Sequence, residues 1–319
     1  MNIGILGAGF MGKMHAGYYK NMGDVHITGI SGRDGKRTAE AAEEAETEAF
    51  LDPYDLIDNK EVDAIDVCLP SGIHTQYVID ALKAGKHVFC ETPLAYTAEE
   101  AEKMSEASKL SGKKLMVALY DRFQSQYKYI YEYITSGEIG SPKAVYTNRR
   151  SPPYYSTEDI FLNLLIHDFD YVSWLLGRPD SVYCRGISDH RGFVENAGSI
   201  LEYSGVSVCL EAGVIMPKSF PFSTSMRIVC EKGSIDLDWH WGENGPVSSV
   251  TLYTDAGTPQ KLDVADFDPY EAECRYFIES VNGHNDGSIL GIESALISVK
   301  IAVLARESCR QGGKKLSYI

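Results

Sequence analysis

The residues with the clearest chemistry form a glycine-rich stretch near the start of the chain. Gly7, Gly9 and Gly12 make a GxGxxG motif between an apolar, strand-like run and a helix-like run, with Phe10 and Met11 inside it. In such a loop the first glycine permits a tight turn. The second lets the backbone approach a pyrophosphate, and the third allows close helix–strand packing. Amide groups at the start of the helix can also donate to an anion. The motif therefore predicts dinucleotide binding, with purely structural glycines as the alternative.

A second group of candidates stands about 20 residues further on, where dinucleotide-binding folds read the ribose. An acidic residue there favours NAD because it bonds the ribose 2′-hydroxyl, whereas an arginine accommodates the 2′-phosphate of NADP. Ser31, Arg33 and Asp34 occupy this place, followed by Lys36 and Arg37. Arg33 can pair with phosphate and stack on adenine, while Asp34 comes late for the ribose. We therefore favour NADP over NAD, and the alternative is that these charges only face solvent.

Regular alternation of strands and helices must position these loops. Apolar strand-like runs at 2–7, 25–30, 62–69, 86–90 and 114–118 alternate with helix-like segments. This order predicts an α/β fold that begins with a Rossmann domain, residues 1–120, built on a doubly wound parallel sheet. A long helix is then predicted over 160–176, and β-type runs with polar turns fill 181–265. Residues 121–319 are therefore expected to form an α+β domain with a large open mixed or antiparallel sheet.

Composition excludes several other classes of protein. The chain has 30 Lys+Arg against 45 Asp+Glu, a net charge of −15, and a nucleic-acid-binding protein needs the opposite sign. No run approaches about 18 consecutive apolar residues, so we expect no membrane-spanning helix, and we expect no signal peptide. The seven cysteines are scattered and odd in number, which favours reduced thiols in a cytoplasmic protein. No CxxC occurs and no two histidines stand four positions apart, so we expect no metal site.

Three further segments, at 69–74, 84–95 and 166–170, carry a family resemblance. Together with the glycine loop they make the chain resemble the Gfo/Idh/MocA oxidoreductases over essentially its full length. The resemblance implies a Rossmann domain and an α/β domain. The open sheet of the latter has the substrate pocket on one face and often an oligomer interface on the other. It implies hydride transfer between nicotinamide and a hydroxyl or carbonyl carbon of a sugar or cyclitol derivative. It also implies a homodimer or homotetramer formed through the open sheet.

The resemblance further assigns roles to residues that flank the cofactor. Leu69, Pro70 and His74 would lie along the dinucleotide, and Glu91 would lie near the nicotinamide-side ribose. Family members usually have Lys directly after that Glu and Asp four residues before a helix His. The Lys, the Asp and the His form the family's catalytic triad.

This chain differs from the family at two of the three triad positions. Thr92, also a predicted cofactor contact, stands in place of Lys, Asn163 stands in place of Asp, and only His167 remains. A hydroxyl cannot supply the charge of an ammonium group, and an amide can orient an imidazole without favouring its charged form. Since one positive and one negative charge are lost together, the formal charge of the pocket is kept. Spacing predicts that Asn163 and His167 share one helix face.

His167 is the remaining candidate for general acid–base catalysis, because an imidazole titrates near neutrality. A histidine that only packs in its helix is the alternative. Tyr120, Arg122 and Tyr154, together with the two triad residues of the helix, are the candidate substrate contacts. Arg122 either braces the fold or binds an acidic substrate group, and Arg149 is expected at a solvated strand end.

The leading functional hypothesis is an NAD(P)-dependent oxidoreductase with an atypical active site. A lyase or glycosidase that retains its cofactor, oxidising and re-reducing the substrate, is a second hypothesis. A non-catalytic dinucleotide-binding protein is the third, since the triad is incomplete.

Overall fold

The computed structural model describes residues 1–153, 159–255 and 257–319. Two compact units divide the chain. The first comprises Met1–Phe123 and Asp268–Val299, and the second comprises Gln124–Phe267 and Lys300–Ile319. No helix in the described ranges is both long enough and apolar enough to cross a membrane.

The regular elements are numbered in chain order. The helices are α1 Phe10–Lys20, α2 Gly35–Ala45, α3 Tyr54–Ile57, α4 His74–Lys83, α5 Ala98–Ser111, α6 Ser125–Thr135, α7 Ile160–Asn163, α8 Leu165–Leu176, α9 Pro269–Val281 and α10 Ile292–Arg310. The strands are β1 Asn2–Leu6, β2 His26–Ser31, β3 Glu48–Phe50, β4 Ala64–Val67, β5 His87–Cys90, β6 Leu115–Val117, β7 Pro142–Arg150, β8 Ser181–Ser188, β9 Val194–Tyr203, β10 Val206–Gly213, β11 Ser223–Cys230, β12 Gly233–Gly242, β13 Gly245–Thr254, β14 Gln260–Leu262 and β15 Leu316–Ser317.

The first unit is built on a six-stranded sheet of order β3-β2-β1-β4-β5-β6, in which every pair is parallel. Ile3 and Ile5 of β1 and Ile65 of β4 are fully buried, because a parallel sheet is covered by helices on both faces. The strand order reverses between β1 and β4, and ligands of such sheets bind beyond the carboxyl ends of the strands at this switch point. The predicted doubly wound Rossmann sheet is confirmed.

The second unit contains a nine-stranded sheet of order β14-β13-β12-β11-β7-β10-β9-β8-β15 in its described part. β7 and β10 are parallel, and the other neighbours are antiparallel. α8 packs against β7 and β10, so that Val145 and Val208 are buried on that face. The predicted open mixed sheet is confirmed, and its alternating burial leaves the opposite face accessible.

The structure differs from the sequence predictions in two places that matter for function. The helix predicted over 160–176 is broken at Leu164, whose φ of −132° and ψ of −59° are not helical, so α7 and α8 are separate. Residues Asp268–Val299 belong to the first compact unit, where α9 packs against α1. The return of the chain to the first unit was not predicted, since it leaves no signal in local periodicity. The domain boundary at 120/121 remains a prediction.

Candidate active site

The glycine loop has the geometry that its motif predicts. Gly7 has φ of +122°, and its N–H donates to the Ser31 carbonyl at 2.7 Å, which joins the ends of β1 and β2. A Cβ on Gly7 would lie 2.3 Å from the carbonyl oxygen of Cys68, and one on Gly12 would lie 1.8 Å from the Gly7 carbonyl oxygen. Both positions therefore exclude any side chain, and they hold α1 against the strand ends.

The middle glycine leaves its outer side open. Within the described residues, a Cβ on Gly9 would meet only Nη2 of Arg37, at 3.9 Å. Gly9 is the N-cap of α1, and no described side chain caps that end, so the first amide groups of the helix are available to an anion. Phe10 is 77% exposed and Met11 is half-buried beside it. This cradle fits a pyrophosphate held by backbone amides.

The loop after β2 carries cationic side chains, and its carboxylate is not available to bond the ribose of a cofactor. The Asp34 carboxylate accepts hydrogen bonds from the backbone N–H groups of Lys36 and Arg37, so it serves as the N-cap of α2. A Cβ on Gly32 would lie 2.5 Å from Oγ1 of Thr38, so the residue after Ser31 cannot be the usual ribose-binding acid. Arg33 and Arg37 are both exposed. Arg37 lies beside Gly9 because of the way in which α2 packs. The spacing of residues along the chain does not show this contact.

The segment after β4 is held by a buried histidine. His74 is fully buried, and its Nε2–H donates to the Leu69 carbonyl at 2.7 Å. The Cys90 Sγ lies 3.4 Å from Nδ1 on the other side of the ring. The structure therefore gives His74 a positioning role in place of the predicted cofactor contact, whereas Pro70 is exposed and Leu69 half-buried.

Glu91 and Thr92 follow the carboxyl end of β5, and both are half-buried. The Thr92 backbone N–H donates to Oε2 of Glu91 at 3.1 Å, and the Thr92–Pro93 peptide bond is cis. Oε1 of Glu91 lies 3.2 Å from Nε2 of His15. The first unit thus brings the glycine loop, the β4 loop and Glu91 to the carboxyl edge of one sheet.

His15 is a functional candidate that sequence reasoning missed. It is fully buried on α1, and its Nδ1 lies 2.8 Å from Oδ2 of Asp66. Burial acts to lower the pKa of His15, but the charge and hydrogen bond of Asp66, together with Cys68 and Cys274, outweigh burial, and the pKa is raised well above its usual value. The available signal was Asp66 itself, a carboxylate inside an apolar strand of a parallel sheet.

Two of the predicted substrate residues lie within the first unit. Arg122 is 1% exposed and donates to the Ile289 carbonyl at 2.6 Å and to Oγ of Ser294. Its guanidinium therefore braces the fold, and the prediction that Arg122 contacts substrate is corrected. Tyr120 is half-buried, with its ring 4.5 Å from that of Tyr270, and its substrate contact stays a prediction.

His167 and Asn163 lie in the second unit, on the two helices that the break at Leu164 separates. The prediction of one continuous helix face is therefore wrong. His167 is half-buried, and burial together with the Arg149 charge lowers its pKa to about 3. The expected titration near neutrality is corrected: the imidazole is neutral at physiological pH.

Arg149 is buried, contrary to the expectation of a solvated strand end. Its Nε donates to Oδ2 of Asp168 at 2.8 Å, and the two residues are 5% and 2% exposed. Asp168 directly follows His167 in sequence, and Arg149 supplies the positive charge that disfavours the imidazolium. Tyr154, the remaining predicted substrate contact, falls outside the described residues.

Comparison with known proteins agrees with this geometry. A family model described as "Oxidoreductase family, NAD-binding Rossmann fold" matches residues 1–119, and one described as "GFO/IDH/MocA C-terminal domain" matches 127–236. An inositol 2-dehydrogenase of Saccharopolyspora erythraea is 30% identical, across 74% of this chain and 73% of its own length. The chain belongs to the Gfo/Idh/MocA family.

Two further relatives of this Gfo/Idh/MocA protein match almost end to end. A myo-inositol 2-dehydrogenase of Thermotoga maritima is 28% identical, across 98% of this chain and 97% of its own length. The solved structure of a UDP-N-acetylglucosamine 3-dehydrogenase from Acidithiobacillus ferrooxidans superimposes with a TM-score of 0.86. It covers 98% of both chains at 22% identity, which supports the fold alone. The predicted family and the predicted enzyme class are confirmed: the protein is an oxidoreductase with an NAD-binding Rossmann fold.

Proposed function

We propose that this Gfo/Idh/MocA enzyme transfers a hydride between nicotinamide and a hydroxyl or carbonyl carbon of a sugar or cyclitol derivative. His167 is the residue that handles the proton of the substrate oxygen. The observation that carries the proposal is His167 itself. It is half-buried, at the family's catalytic position, and neutral because Arg149 and burial oppose its protonation.

The nicotinamide cofactor supplies the hydride chemistry when bound. The amides beyond Gly9 would hold its pyrophosphate, and Glu91 would lie near the nicotinamide-side ribose. Thr92 of the first unit and Asn163 of the second stand at the family's Lys and Asp positions, and each side chain offers only neutral hydrogen bonds.

A neutral imidazole carries one N–H donor and one lone pair. His167 can therefore accept the proton of a substrate hydroxyl on one ring nitrogen during oxidation while the other nitrogen releases a proton, and the reverse transfer serves reduction, so the ring stays neutral. A neutral imidazole with a lowered pKa can polarise a carbonyl without carrying charge. We therefore expect activity that does not depend on titration of His167 between pH 5 and 8.

Turnover of NADP and NAD with a panel of sugars and cyclitols tests this role. His167→Ala should abolish turnover while the affinity for NADPH, measured by fluorescence titration, stays unchanged. His190→Ala is the matched control because His190 is an exposed histidine of the same unit. Unchanged turnover in His167→Ala would refute the role. Cofactor that copurifies, with substrate conversion but no net change in NAD(P)H, would instead favour the cofactor-retaining lyase or glycosidase.

The cofactor preference is proposed to be NADP. Arg33 and Arg37 are exposed beside the glycine loop, and Asp34 is committed to capping α2. A charge-assisted hydrogen bond contributes about 1.5–3 kcal/mol, so losing one should weaken NADPH binding by about 10–100-fold.

Parallel titrations with NADPH and NADH test the preference. Arg33→Ala and Arg37→Ala should weaken NADPH binding and leave NADH binding nearly unchanged. Lys36→Ala is the control, because the Lys36 ammonium is 88% exposed and lies 4.0 Å from Glu40. Tighter binding of NADH than of NADPH by the unaltered enzyme would contradict the proposal.

The accessible face of the nine-stranded sheet is proposed to bind a second copy of the chain. Tyr146 and Ile200 are 44% and 48% exposed there. Strand register places a continuous row across five strands, formed by Arg227, Tyr146, Cys209, Ile200 and Tyr183. Exposed apolar groups of this extent are typical of interaction surfaces.

Light scattering after size-exclusion chromatography tests the self-association. The unaltered enzyme should elute as a dimer or tetramer, and Tyr146→Glu with Ile200→Glu should yield monomers. A monomeric unaltered enzyme at micromolar concentration would contradict the proposal.

A further inference from the structure

A buried cluster of metal-ligating side chains lies behind the glycine loop. It combines His15 of α1, Cys68 directly after β4 and Glu91 directly after β5. One ligand atom from each of these residues lies within 4.8 Å of the others. His15 is fully buried, and the Glu91 side chain is 12% exposed. Three elements that are distant in sequence therefore present nitrogen, sulfur and oxygen donors to one point.

Asp66 orients the histidine of this cluster. Its Oδ2 accepts from Nδ1 of His15 at 2.8 Å, which directs Nε2 toward Glu91. Within the described residues, Nε2 has no hydrogen-bond partner of acceptable angle, although Oε1 of Glu91 is 3.2 Å away. Metal-ligating histidines almost always donate their other N–H to a carboxylate or carbonyl in this way.

Glu273 of α9 is the independent observation that indicates a ligand. It is 0% exposed, and neither carboxylate oxygen has a hydrogen-bond partner among the described residues. Among charged groups it interacts most strongly with Glu91 and then with His15, so it lies near the three ligands. Burying a carboxyl group without partners is costly, and such groups often mark a site for a water or an ion.

We propose that His15, Cys68 and Glu91 bind a borderline-soft divalent cation such as Zn²⁺, beside the buried Glu273 carboxylate. Imidazole, thiolate and carboxylate are the ligands of tetrahedral zinc sites. Cys68 binds as the thiolate and His15 binds through Nε2 of the neutral imidazole, so the thiol proton and the proton on Nε2 both leave to the solvent. The metal joins α1 to the ends of β4 and β5 under the glycine loop. The expectation of no metal site used spacing along the chain, whereas these ligands meet only in three dimensions.

Cobalt is the probe, because a cobalt–thiolate bond gives a charge-transfer absorption band. Protein purified without chelators is first analysed for metal by mass spectrometry, then stripped and titrated with Co²⁺. We expect one equivalent of Co²⁺ per chain, a charge-transfer band, and displacement of Co²⁺ by Zn²⁺. Cys68→Ser should lose the band, while Cys230→Ser, which alters a buried cysteine at the end of β11, should keep it. Asp66→Asn should weaken binding by about 10–100-fold.

The unaltered protein decides the question even where a variant folds poorly. Failure to bind stoichiometric Co²⁺, or a spectrum without the thiolate band, would overturn the proposal and leave the cluster as a buried ion-pair network. A band that survives in Cys68→Ser would also overturn it.

Discussion

A methyl group added at two positions of the glycine loop should have opposite consequences. In Gly9→Ala the new Cβ meets only Nη2 of Arg37 at 3.9 Å among the described residues, and the backbone φ of −83° suits alanine. In Gly12→Ala the Cβ would lie 1.8 Å from the Gly7 carbonyl oxygen. The first substitution should therefore spare the fold and block the cofactor, whereas the second should damage the fold.

The magnitudes follow from the contacts. For Gly9→Ala, the entropy lost by the unfolded chain stabilises by about 0.4–1 kcal/mol. A poorer N-cap offsets this by a similar amount, so the free energy of unfolding changes by less than about 1 kcal/mol. For Gly12→Ala, α1 must move away from the loop, and overpacking of this kind costs about 1–3 kcal/mol or more. Each kcal/mol lowers Tm by about 2–4 °C for a unit of this size.

Two assays separate the outcomes. Scanning calorimetry or fluorimetry measures Tm, and fluorescence titration measures the affinity for NADPH. Gly9→Ala should keep its Tm and lose at least tenfold in affinity, which is about 1.4 kcal/mol. Gly17→Ala is the control on the same helix, because nothing described lies within 4 Å of its Cβ; its NADPH affinity should not change. Normal NADPH binding by Gly9→Ala, or an unchanged Tm in Gly12→Ala, would refute the reasoning.

Two further predictions concern the charges around His167. Arg149→Met should destabilise the protein by about 3–5 kcal/mol in urea denaturation, because it leaves the Asp168 carboxylate buried without its partner. Arg227→Met, which removes the exposed partner of Asp236, should cost less than about 1 kcal/mol, and equal losses would contradict the burial argument. His167 has a pKa of about 3 in the fold against about 6.5 when unfolded, so the unfolded chain binds more protons between these values. Stability should therefore fall as the pH drops from 6.5 toward 3, by at most about 1.4 kcal/mol per pH unit. His167→Gln should lack this component when urea denaturation is compared from pH 8 to pH 4, and parallel curves would refute it.

Much of the fold could be predicted because its determinants are local. The GxGxxG spacing and the alternation of apolar strands with helices led to the parallel sheet, and the short motifs led to the family. The boundaries of most elements differ by only one or two residues from the predictions. The break at Leu164 was missed, since the apolar pattern continues through it and only tertiary packing interrupts the helix.

The residue types of the candidate site could be predicted from the sequence, but their burial and charge states could not. Sequence alone identified the glycine loop, and it located the Thr92, Asn163 and His167 positions. It could not determine that Arg122 and His74 are buried bracing groups, because burial depends on residues far away in the chain. Nor could it determine that His167 is neutral, because that follows from desolvation and from the nearby Arg149 charge.

The sequence itself determined the glycine-loop motif and the family, since strands, turns and motifs depend on residues close together in the chain. Tertiary structure decided which charges meet. His15, Asp66, Cys68, Glu91 and Glu273 are separated by up to 258 positions (273 − 15), and only the winding of the sheet and the return of α9 place them at one point. Protonation and metal binding depend on such distances and on burial, which no local pattern encodes.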